Sequence, residues 1–86
     1  MFLKEPAYLI TNIEEYGKFI SYCIENDILV WRTYWDEREK ENRCYHINWE
    51  EERCYYATKQ FYEEKYIEII KPKFYLNDFG YYEIGN

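Results

Sequence analysis

The chain is poor in the residues that break regular structure and in those that build catalytic centres. It contains only two prolines and three glycines in 86 residues, which excludes a linker or a low-complexity segment. No apolar stretch approaches the roughly 18 residues of a membrane span. The first residues also lack the basic region and apolar run of a secretory leader. A cytoplasmic protein without a membrane partner is therefore expected. Cations are scarce too: 11 Lys and Arg face 17 Asp and Glu, for a net charge of −6. A nucleic-acid backbone should repel such a surface, so no direct nucleic-acid partner is expected. The cysteines, Cys23, Cys44 and Cys54, are odd in number. Without a leader they read as reduced thiols, not as a disulfide framework.

What is abundant is apolar and aromatic. Hydrophobic residues make up 48% of the sequence and aromatic residues 23%, as twelve tyrosines, five phenylalanines and three tryptophans. The length fits one compact domain over residues 1–86, because splitting it would leave each half below independent stability. A chain of this size buries roughly 65% of its surface on folding. That supplies one core and little volume for an enclosed substrate cavity. The rings exceed what such a core needs, and tyrosine keeps a hydroxyl that requires water or a partner. Many rings should therefore sit half-exposed, as they do at protein–protein hot spots.

Residues 6–10 read as a first strand. Thr11 and Glu14 have capping-box spacing, and Ile13, Tyr16, Phe19, Ile20, Cys23 and Ile24 recur at helical intervals, predicting a helix over 12–25 that stops at Asn26-Asp27. The β-branched and aromatic run 28–35 predicts a long strand. Asp36 to Asn42 is a charged loop. Alternation over 43–49 places Tyr45, Ile47 and Trp49 on one face and Cys44, His46 and Asn48 on the other; Glu50-Glu51-Glu52 turns the chain, and 53–57 returns as the hairpin partner. Thr58 can cap a second helix, and residues 66–70 fit either its continuation or a strand. Lys71-Pro72 ends either one. Residues 73–76 and 81–84 flank Asn77-Asp78-Phe79-Gly80, a turn in which the glycine is free to take positive φ. The order predicts an α+β domain: a mainly antiparallel sheet of about five to six strands with two helices packed on one face.

Cys44, His46 and Cys54, with Cys23, would supply the soft ligands that zinc prefers, but their spacing matches no common zinc knuckle. The thiols read instead as small hydrophobes, and no cofactor is expected. A Cys–His nucleophile would have to use His46, with no third group to orient it and no glycine-rich turn to hold an oxyanion. No phosphate-binding glycine motif occurs. The chain is expected not to be an enzyme. Acidity is spread along the sequence, apart from Glu50–Arg53, which nets −2.

In texture the chain resembles small accessory proteins of phages and prophages, anti-CRISPR proteins among them. The stretches 24–35 (Ile-Glu-Asn-Asp-Ile-Leu-Val-Trp-Arg-Thr-Tyr-Trp) and 43–49 (Arg-Cys-Tyr-His-Ile-Asn-Trp) carry the resemblance, and no motif transfers residue by residue. It implies stoichiometric inhibition by binding. The expected partner is a host protein or ribonucleoprotein complex with a basic surface, and a homodimer is possible. Trp31, Trp35, Tyr45, Trp49, Tyr55 and Tyr56 are the candidate hot spots, with Glu50, Glu51 and Glu52 as electrostatic contacts. The rival expectation is a homo-oligomeric small-ligand or nucleotide-binding protein, with rings lining a pocket between chains.

Overall fold

The computed structural model describes residues 5–30 and 35–85. Within them the elements follow in the order β1 (Ala7–Leu9), α1 (Ile13–Glu25), β2 (Leu29–Val30), β3 (Arg43–Asn48), β4 (Arg53–Thr58), α2 (Lys59–Glu64), β5 (Ile69–Ile70), β6 (Lys73–Leu76) and β7 (Tyr82–Gly85), with a 3-10 turn at Glu37–Glu39. The class is α+β, as expected. Of the strand expected over 28–35, Leu29–Val30 is seen as a strand and Trp35 is not in one, while residues 31–34, Trp31 among them, lie outside the described residues.

Helix α1 starts one residue later than the expected cap. Asn12, not Thr11, takes extended backbone; its Oδ1 accepts the Glu15 amide at 2.8 Å while its Nδ2 donates to Glu15 Oε1 at 3.0 Å. Asparagine is among the best N-caps, and this register turns Tyr16, Phe19 and Cys23 into the core. At α2 the cap is the expected Thr58, whose hydroxyl accepts the Phe61 amide at 3.2 Å. Both helices close in the same way. Asp27 and Tyr66 take left-handed backbone (φ 58° and 57°), and the next amide reaches five residues back, Ile28 to Cys23 at 2.8 Å and Ile67 to Tyr62 at 3.0 Å. These bonds satisfy carbonyls that the helix end would leave bare. The ambiguous segment 66–70 thereby resolves into a turn at Tyr66 followed by strand β5.

The main sheet has the order β2-β4-β3-β1-β5, and β6 and β7 form a separate hairpin. The pairs β1–β3, β3–β4 and β6–β7 are antiparallel, whereas β1–β5 and β2–β4 are parallel. Within the main sheet only β3 therefore runs against its neighbours, and the sheet is mixed where a mainly antiparallel one was expected. Both helices are crossovers between parallel strands: α1 leads from β1 out to β2 at one edge, and α2 leads from β4 out to β5 at the other. Crossovers of one hand that travel in opposite directions put their helices on opposite faces.

The packing bears this out and corrects the expectation of two helices on one face. Tyr16, Phe19 and Cys23 of α1 pack with Tyr45, Ile47 and Cys54 on the first face, where Phe74 and Ile84 of the hairpin join them. Tyr62 of α2 packs with Ala7 and Cys44 on the second, joined by Leu9, Ala57, Ile67 and Ile69. The period-2 alternation of β3 splits the two sets.

Candidate functional site

The β3–β4 hairpin supplies the surface on which most of the candidate residues meet. Its register, Asn48 opposite Arg53, leaves Trp49 to Glu52 as the connecting turn. Asn48 Oδ1 accepts the Glu51 amide at 3.1 Å, and Glu52 takes left-handed backbone (φ 56°), so the turn is held by its own groups. It presents Glu50, Glu51 and Glu52 to water. Trp49 is 41% exposed and leans edge-on against Tyr22 of α1, with ring centroids 6.3 Å apart. Tyr55, 42% exposed, donates its hydroxyl to the Glu51 carboxylate. That bond to an anion favours the protonated phenol and holds Tyr55 above the ordinary tyrosine value. The turn is thus a fixed acidic patch edged by two rings.

The other candidates separate from this patch. Tyr45 is a correction: at 7% exposure it lies in the core between Tyr16, Phe19 and Tyr56, and cannot contact a partner. Alternation told the two faces of β3 apart but not which of them α1 would cover. Tyr56 is half-buried beside it, under the Arg43 guanidinium at 5.3 Å, and Arg43 in turn pairs with Glu39 at 2.7 Å. Trp35 is half-buried against Tyr16, with centroids 5.4 Å apart, and its indole N–H donates to Glu37 at 2.6 Å, which lowers the Glu37 pKa. Trp31 lies outside the described residues.

Beyond Tyr55, on the α2 face, lies an open groove of about 580 Å3 lined by His46, Tyr55, Phe61, Tyr62, Lys65 and Ile67 among others. Tyr62 forms its floor. It is buried, its hydroxyl donates to the Tyr55 carbonyl at 3.4 Å, and burial raises its pKa. The His46 ring packs on Tyr62 with centroids 5.8 Å apart. Its Nε2 lies 3.1 Å from the Glu5 carbonyl, which can only accept, so Nε2 carries the proton. Lys65 stands over the Phe61 ring at 5.6 Å. Next to these residues Tyr66 is 91% exposed in left-handed backbone. The sequence left residues 66–70 open as a continuation of the second helix or a strand. The helix ends at Glu64 and leaves the Phe61 and Tyr66 rings at the surface.

The zinc arrangement does not assemble. Cys44 and His46 face α2, whereas Cys54 faces α1, which carries Cys23, and the sheet stands between the two pairs. Burial pushes the Cys44 thiol up to about 11. Cys54 is raised as well, by a hydrogen bond with Cys23 and by burial. All three cysteines are free and buried. Among the described residues no group of three or more His, Cys, Asp or Glu is placed to hold a metal ion, and no helix is long and apolar enough to cross a membrane. No family model, curated protein or solved structure matches the chain.

Proposed function

We propose that this chain is a non-enzymatic binding protein that acts stoichiometrically on a basic protein surface. In keeping with the resemblance of its texture, we read it as a phage-encoded inhibitor of a host defence or nucleic-acid-processing complex, working in the cytoplasm. The observation that carries the reading is the exposed β3–β4 turn, with Trp49 on its α1 side, Glu50, Glu51 and Glu52 at its tip and Tyr55 on its α2 side. Exposed aromatic rings there flank three exposed carboxylates, one of them accepting the Tyr55 hydroxyl, on a turn fixed by its own hydrogen bonds. Carboxylates at a rim steer a basic partner and speed its approach. Rigid aromatic anchors supply affinity at small entropic cost.

Capture from the native host tests this reading. Wild-type protein and the Trp49→Ala/Tyr55→Ala variant are used as bait, and bound partners are identified by mass. A defined basic partner retained by the wild type and lost by the variant is expected. Identical partner sets would reject the surface.

The groove beside Tyr55 favours a second reading, a pocket for a small aromatic ligand such as a nucleotide base, with Lys65 near an anionic substituent. A ligand that raises the melting temperature of the isolated protein would favour it over the first.

A further inference from the structure

The β6–β7 hairpin contributes Phe74 and Ile84 to the core over α1. Its strand β7 lies beside the helix, with Lys18 Nζ above the Tyr82 ring at 5.9 Å. Strand β6 is the outer one, and its side chains Tyr75 and Leu76 are exposed, Leu76 at 58%. Backbone pairing in the hairpin fixes which of its groups point outward. The Asn77 amide donates to the Tyr81 carbonyl at 2.8 Å, so Asn77–Tyr81 is a hydrogen-bonded pair. In an antiparallel ladder such pairs alternate with non-bonded ones. Tyr75–Glu83 is then bonded, whereas Leu76–Tyr82 and Phe74–Ile84 are not. The N–H and C=O groups of Phe74 and Leu76 consequently point away from β7, and among the described residues none of them meets another backbone group. An open strand edge of this kind, flanked by exposed apolar side chains, is a template for another strand.

Charge selects the occupant. The chain carries −6, so two copies repel over most of their surfaces. Strand β6 itself bears one charge, Lys73, which is positive, and the next charge along the chain is Asp78, just past the other end of the strand. Both are exposed. An antiparallel match of β6 with the β6 of a second copy, centred on Tyr75, sets Phe74 opposite Leu76 and uses all of their outward backbone groups. The same match brings Lys73 of each copy beside Asn77 and Asp78 of the other. Opposite charges then lie near each other at both ends of the strand pair.

We infer that β6 is a self-association edge: a second copy of this chain adds its own β6 antiparallel, making a continuous four-stranded sheet with two-fold symmetry. The edge lies on the α1 side, away from the groove on the α2 face, so it builds no pocket between chains and does not depend on the proposed function.

Sedimentation equilibrium of the isolated protein, over about 1 µM to about 1 mM, tests the inference. A concentration-dependent species of twice the 10.9 kDa chain mass is expected. Leu76→Pro deletes an outward N–H without removing a bond of the hairpin, and should return the protein to monomer with its circular dichroism unchanged. Lys73→Glu and Asp78→Lys should each raise the dimer dissociation constant about tenfold, since symmetry doubles every pair. The double variant Lys73→Glu/Asp78→Lys restores opposite charges and should recover the wild-type constant. A monomer at every concentration, or a dimer indifferent to these variants, would overturn the inference. A failed capture of a basic host partner would leave it standing.

Discussion

Tyr66 occupies the left-handed position that closes a helix, where glycine is favoured because it lacks a Cβ, yet it keeps a ring that packs on almost nothing. Other rings have the opposite fate, and pH distinguishes them. Burial raises Tyr22 to about 12 and moves Tyr45 and Tyr62 upward as well, while Cys44 rises to about 11. In the unfolded chain these groups titrate near 10 and 9. Above pH 9 the unfolded chain therefore holds fewer protons than the native one, and stability must fall as pH rises. Thermal melts should show a steady midpoint up to about pH 9 and a progressive loss from there towards pH 12. A midpoint unchanged at pH 11 would contradict the burial of these groups. None of this partition was legible residue by residue: Tyr45 and Tyr55 stand on neighbouring strands of one hairpin, and only the position of α1 decides which of them is covered.

Whole elements were easier to read than their boundaries. The alternation of 43–49, which the strand follows as far as Asn48, the acidic turn, the Thr58 cap and the Gly80 turn are local signals that the fold keeps; Gly80 takes φ 84° as expected. The start of α1 slipped by one because Thr11-x-x-Glu14 and Asn12-x-x-Glu15 offer the same chemistry in adjacent registers. The fold uses the second, and Thr11 Oγ1 instead accepts the Lys71 ammonium at 2.6 Å. Asn12→Ala should therefore cost about 1 kcal/mol in urea unfolding, whereas Thr11→Ala, which loses one exposed bond, should cost less than half of that. Equal losses would contradict the assigned cap. The placement of the helices on opposite faces was beyond local signals, because it depends on which sheet edge each crossover reaches. Strand β5, two residues long, leaves too short a pattern to reveal its parallel partner.

At the scale of the molecule, the excess of rings over interior holds. Phe2, Trp31 and Tyr34 lie outside the described residues; of the other seventeen aromatic residues, four are buried and seven are exposed. The interior is divided by the sheet into two clusters, one closed by α1 with the β6–β7 hairpin and the other by α2. Exposed rings then fall where chain topology leaves them: at the β3–β4 turn, around α2 and along the β6–β7 hairpin. Of these places the β3–β4 turn combines rings with three carboxylates, which is why the proposed function rests there. The most direct test follows the association rate of the captured partner across ionic strength, for wild type and for the Glu50→Lys/Glu51→Lys/Glu52→Lys variant. For the wild type, association should slow as salt screens the attraction, and the variant should associate more slowly at low salt by roughly tenfold or more, converging with the wild type as salt rises. Rates that coincide at every salt concentration would contradict the account.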